Sequence, residues 1–205
     1  MSQDLLKQYR RFDYRISQLL DQFDHSLASD GSLQRSHGVI LRAARLFFVV
    51  RLVSLWSEFC RNLVVTSALG RARTINGTII PAAPGITSVH DISTRVKAPL
   101  SGPGANWHWP AVSVGAANSL GVANYTQLSL GIGGADIAPV IAVRNFIAHP
   151  GALSNAEFKS QAKKMGAGIS AQDPDDLVTT RIAGGASVFE GWVSDLRTAA
   201  KNACS

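Results

Sequence analysis

This 205-residue chain carries only two cysteines and two methionines. Cys60 falls inside a long apolar segment and Cys204 lies one residue from the end, so they form neither a disulfide framework nor a zinc set. Five histidines, at positions 25, 37, 90, 108 and 149, keep no metal-ligand spacing with one another or with cysteine. No metal and no cofactor is therefore expected. Glycine-rich phosphate loops are also missing: Gly131, Gly133 and Gly134 run into Ala135 and Asp136, which breaks the dinucleotide spacing. The serine elbow fails as well, because Ser113 and Ser129 each lack the preceding glycine. Charged residues make up only 17% of the chain, yet its most apolar stretch, Val39 to Leu69, still holds Arg42, Arg45, Arg51, Glu58 and Arg61. That is too much charge for hydrocarbon, so the stretch reads as a buried helix and no membrane is expected. The first twenty residues are charged and helical rather than a secretory signal, which makes a reducing cytoplasm the expected compartment. Asn76 and Asn124 match the glycosylation pattern, but without a secretory route they carry no weight.

What the sequence does contain is apolar and basic. Hydrophobic residues make up 46%, enough for a core and against wholesale disorder. The net charge is +6, and 14 of the 20 basic residues are Arg, whose planar fork suits phosphate. That balance tilts the partner question towards nucleic acid or nucleotides.

The spacing predicts an amphipathic helix over about Gln3 to Ala28, with Leu5, Leu6, Tyr9, Phe12, Ile16, Leu19, Leu20, Phe23 and Leu27 on its apolar stripe. A second helix is expected from about His37 to Leu69, apolar around most of its circumference and so placed at the centre of a bundle, with Gly70 as its left-handed cap. Residues 71–115 hold five of the eight prolines and read as an irregular insertion. Short β-branched runs at Thr78-Ile79-Ile80 and Ile86-Thr87 suit a hairpin there. Helices are then expected over Ala116–Leu130 and, after the GIGG break, over Asp136–Ala148 with Asp136 as N-cap and Pro150 as the stop. A capping-box start at Ser154, a further start at Asp173, and a last helix over Ser187–Asn202 complete an all-α bundle of four main helices. The whole, 1–205, is expected to be one domain. Asp173, Asp175 and Asp176 suit either a hard cation or a helix start with a solvated face.

One stretch concentrates polar chemistry on an apolar helix: Arg144, Asn145 and His149 within Val140–Pro150. Four residues separate Asn145 from His149, which puts them on one face, and the long stem of Arg144 can bring its guanidinium to the same spot. Arg clamps phosphate, Asn donates and accepts, and His moves protons near neutral pH. These residues are either a phosphate-handling site or a buried polar pair that fixes helix packing. Trp107-His108-Trp109 either stacks on bases or anchors the insertion. Arg10, Arg11 and Arg15 either guide RNA or form a solvated face.

The string Arg144-Asn145-Phe146-Ile147-Ala148-His149 resembles the Arg-x(4–6)-His signature of the HEPN superfamily (higher eukaryotes and prokaryotes nucleotide-binding). Leu55 to Leu63 is similar to the aromatic-acidic segment on the second helix of many bacterial members, and Leu120 to Asn124 to the lead-in of some. The resemblance covers the helical body and leaves 71–115 unexplained. It implies a bundle of four to five helices and a metal-independent endoribonuclease acting as a homodimer, in which two motifs meet in one cleft. His149 would serve as general base or acid, Arg144 would stabilise the anionic phosphorus, and Asn145 would orient either. Glu58 would support the site by bonding Arg144, or be a surface charge or a partner of Arg61 or Asn62. Many members are toxins or phage-defence effectors, which implies an antitoxin or another neighbouring-gene partner. In one subgroup a Tyr two residues after the His is modified with AMP; Gly151 stands at that position here. The other readings are a non-catalytic HEPN module for dimerisation or nucleotide binding, and a helical adaptor.

Overall fold

The computed structural model describes residues 3–29, 35–70, 72–96, 106–165, 173–182 and 184–205. Among these the fold is all-α, with nine helices: α1 Leu5–Ser29, α2 Arg35–Ala68, α3 Val89–Arg95, α4 Pro110–Leu120, α5 Tyr125–Gly133, α6 Ala138–Ala148, α7 Ala152–Lys164, α8 Pro174–Thr179 and α9 Val188–Cys204. Two-residue strands β1 (Gln3–Asp4), β2 (Ala72–Arg73) and β3 (Ile79–Ile80) form a small sheet in the order β1-β2-β3. β1 runs parallel to β2, with Gln3 opposite Ala72, and β3 runs antiparallel to it, with Ile80 opposite Ala72. No single helix among the described residues is long and apolar enough to cross a membrane. Residues pack into two compact units, one comprising Met1–Arg15, Ser54–Ala135 and Leu196–Ser205, the other Ile16–Val53 and Asp136–Asp195.

In the first unit, Phe12 of α1 meets Trp56 and Phe59 of α2, with ring centroids 6.0 and 4.7 Å away. All three rings are buried, as are Leu55, Leu63 and Leu196. A fully buried ring of this size stabilises by about 1.5–3 kcal/mol, so the trio is a principal anchor of the unit. The described residues of the segment 71–115, which are 72–96 and 106–115, are more ordered than its composition suggests. They supply β2, β3 and α3 and the start of α4, while Ile86-Thr87, expected in a hairpin, is not a strand. Local chemistry explains α3: the Ser88 hydroxyl accepts the Asp91 N–H, and the Asp91 carboxylate accepts the N–H groups of Thr87 and Ser88 and the Thr87 hydroxyl, each at 2.8 Å. Those bonds, the Thr87 N–H foremost, pull the Asp91 pKa down to about 2. With the folded value below the unfolded one, this cap is complete above pH about 4 and is lost as pH falls through about 2. The Thr87 and Ser88 amide resonances are expected to shift over that window, and in Asp91→Asn to stay put.

The helix expected over Ala116–Leu130 is two helices. α4 starts earlier, with Pro110 in its first turn where a missing N–H costs nothing, and Gly121 closes it at φ 68°. The chain resumes as α5, which runs through Gly131 rather than breaking there. The reason is tertiary: a Cβ on Gly131 would lie 2.3 Å from the backbone nitrogen of Ala203 in α9. Glycine is what lets the two backbones touch. Gly131→Ala is expected to cost about 1–3 kcal/mol in urea unfolding despite alanine's better helix propensity, because backbone rather than a flexible tip must move.

In the second unit, Phe23 stacks on Phe189 at 4.3 Å, and Val49, Leu52, Phe158, Leu177 and Val193 are buried. α2 is less central than its all-round apolarity implies. Val39, Ile40 and Phe47 are 70, 65 and 62% exposed, because α2's other side alone is packed over this stretch. α6 starts after Ile137 rather than at Asp136, which leaves Pro139 in the first turn, where its lack of an N–H is harmless. α7 starts at Ala152, so Ser154 lies inside the first turn instead of capping it. At α8 the expected start holds: the Asp173 carboxylate accepts the Asp175 N–H at 2.8 Å and also pairs with Arg42.

Candidate functional site

α6 changes character along its length rather than around it. Pro139 to Val143 are buried, Arg144 to Ile147 are half-buried, and Ala148 and His149 are exposed. The motif therefore occupies the part of the helix that leaves the core. Pro150 forces the preceding residue out of the α region, and His149 ends the helix at φ −140°, ψ 68°. Its N–H still donates to the Asn145 carbonyl at 2.8 Å. Its carbonyl accepts the Ser154 hydroxyl of α7 at 2.7 Å, and that hydroxyl in turn accepts the Gly151 N–H at 3.1 Å. Both backbone polar groups of His149 are thus fixed while its imidazole faces solvent. A ring contact of 5.2 Å between Phe146 and Phe158 joins α6 to α7 beneath this turn.

One turn back, Arg144 donates from Nη1 to Oδ1 of Asn145 at 3.1 Å. The long stem does bring the guanidinium round to Asn145, as its reach suggested. His149 follows Asn145 by one turn as the cap of the helix, at a non-helical φ of −140°. Among the described residues no hydrogen bond joins the imidazole to Arg144 or Asn145, so the helix end presents the linked Arg144–Asn145 pair and a separate imidazole.

The remaining expected site residues belong to the first unit, whereas Arg144, Asn145 and His149 belong to the second. Glu58 pairs with Arg15 of α1 at 2.8 Å, a partner different from the Arg61, Asn62 or Arg144 considered from sequence. Trp107 is only 3% exposed and its carbonyl accepts the Ser113 hydroxyl, so its ring faces are spent on packing and do not offer a base platform. It anchors the insertion, as does the His108 carbonyl, which accepts the Trp56 indole N–H at 3.2 Å. The His108 and Trp109 rings stay half-exposed, 5.8 Å apart. Arg10 and Arg11 are exposed on α1.

Two features were missed from sequence. Arg45 and Asp175 form a buried two-pronged pair, Nε to Oδ1 and Nη2 to Oδ2, both at 2.7 Å. Asp175 is thereby committed to an arginine rather than left as a cation ligand. Nothing local announces this pairing, since the two residues lie 130 positions apart. Ser154 also escaped notice as the clasp of His149, because its position in the chain resembles a helix N-cap.

Both thiols are buried and held protonated: desolvation pushes Cys204 up to about 12 and raises Cys60 well above its usual value. Neither is poised as a nucleophile. Compared with models of known protein families, with curated proteins and with solved structures, the chain gives no match.

Proposed function

We propose that this chain is a metal-independent endoribonuclease of the HEPN type, working as a homodimer in toxin or phage-defence settings. The observation that carries the proposal is the end of α6: an exposed imidazole on a doubly fixed backbone, with the Arg144 guanidinium half-buried one turn earlier. The cleavage consists of attack by the ribose 2′-oxygen on phosphorus. The 2′-O–P bond forms, the P–O5′ bond breaks, a base takes the 2′-hydroxyl proton and an acid protonates the leaving 5′-oxygen. Products are a 2′,3′-cyclic phosphate and a 5′-hydroxyl, and no water or metal is consumed. In-line displacement places base and acid on opposite sides of phosphorus, more than one imidazole serves easily. His149 of each of two copies supplies the pair. Arg144 faces the charge that grows on the phosphoryl oxygens, and Asn145 holds the guanidinium in place.

The test is incubation of single-stranded RNA with the purified chain in excess EDTA. Cleavage with cyclic-phosphate ends is expected. RNA of varied sequence left whole at micromolar protein would overturn the catalytic reading in favour of a non-catalytic HEPN module.

A further inference from the structure

Between α6 and α7 the chain turns through His149, Pro150 and Gly151, and little in those residues can hold the turn. Pro150 has no N–H to give, and Gly151, the N-cap of α7, has no side chain to accept one. Ser154, in the first turn of α7, serves both ends. Its oxygen accepts the Gly151 N–H at 3.1 Å. Its one proton goes to the His149 carbonyl at 2.7 Å in preference to the Gly151 carbonyl at 3.1 Å. The packing of the two helices does not need this hydroxyl, because Phe158, fully buried and one turn after Ser154, meets Phe146 at 5.2 Å.

We propose that Ser154 is a positioning residue for His149, fixing the root of the imidazole by holding the carbonyl of the same residue. This rests on the nuclease reading above, in which the imidazole moves protons at phosphorus. The His149 N–H is tied to the Asn145 carbonyl as the last bond of the α6 ladder, so the nitrogen end of the residue is set. Rotation about its N–Cα bond carries Cβ and the carbonyl carbon round together. Pinning the carbonyl therefore pins Cβ, and the side-chain torsions turn the ring from a fixed point. A residue before a proline keeps about ±40° of freedom in φ, and a swing of about 30° within it carries a ring nitrogen through about 1–2 Å. A misplacement of about 1 Å costs a catalytic group on the order of 10²-fold. Arg144 needs no such clasp, since it lies within the regular helix and its guanidinium is bonded to Asn145.

The experiment compares Ser154→Ala and Ser154→Thr with the parent in single-turnover cleavage of single-stranded RNA in excess EDTA, beside NMR relaxation of the His149 and Gly151 amides. Ser154→Ala is expected to lower the saturating rate about 10–100-fold and to leave the RNA concentration for half-maximal rate unchanged. The order parameters of the two amides are expected to fall from about 0.85 to below about 0.6. Ser154→Thr, which keeps the hydroxyl, is expected to restore both. Circular dichroism should match the parent in each, since the Phe146–Phe158 contact remains. Cleavage by Ser154→Ala at the parent rate overturns the proposal and leaves the nuclease reading in place. So does a loss confined to the half-maximal RNA concentration, which would put the hydroxyl on the RNA, or a Ser154→Thr as slow as Ser154→Ala although its amides are rigid. A parent that leaves RNA whole removes the nuclease reading and the positioning role with it.

Discussion

Asp175→Ala is expected to lower the unfolding free energy by about 3–5 kcal/mol, a large share of the roughly 5–15 kcal/mol that holds an ordinary domain together. The carboxylate it removes accepts both prongs of Arg45, and the two residues are 7 and 4% exposed. Without it a buried guanidinium loses two charge-assisted hydrogen bonds, and the desolvation they offset is what makes the change expensive. The intact pair need not be strongly stabilising, because bringing two charges out of water costs nearly what their attraction returns. The double variant Arg45→Met with Asp175→Leu should accordingly be more stable than Asp175→Ala alone. Urea unfolding followed by circular dichroism distinguishes these cases. A loss below about 1 kcal/mol in Asp175→Ala would show that the pair is solvated in solution.

His149→Ala is expected to reduce RNA cleavage by about 10²–10⁴-fold while leaving urea stability within about 0.5 kcal/mol of the parent. The split follows from geometry. The imidazole is exposed and contributes little to the core, whereas its backbone contacts to Asn145 and Ser154 do not depend on the side chain. Arg144→Ala should lose about 10²–10³-fold through the charge it no longer offers phosphorus. It should also cost some stability, because its stem is half-buried. Single-turnover rates in EDTA, read beside unfolding curves, separate the two effects. Equal cleavage by parent and His149→Ala would remove His149 from the chemistry altogether.

Much of the helical layout was legible because helix ends are written locally. On α1, Leu5, Phe12, Ile16, Leu19 and Phe23 of the stripe are buried and Leu6, Tyr9, Leu20 and Leu27 half-buried, while Val188, Phe189, Trp192, Val193 and Leu196 share the buried side of α9. Gly70 carries the expected positive φ, and Asp173 caps α8. Two further caps are equally legible: Ser88 with Asp91 and Ser187 with Glu190, each a serine three residues before an acid. The Arg144–His149 string was also visible, since an arginine and a histidine near the end of an apolar helix stand out against its composition.

Other features have no local signature. Propensity, capping and proline sterics act over a few residues, and they suffice to make the chain helical, to start α8 and α9, and to stop α6 before Pro150, but not to show that Gln3 and Asp4 form β1 ahead of α1. Tertiary structure alone decided that Gly131 serves a backbone contact with Ala203, that Arg45 meets Asp175, and that Trp107 is packed away. Each of those depends on which surfaces come together across tens of residues of chain. Steric fit and the cost of burying charge are settled only at that contact, so periodicity cannot announce them.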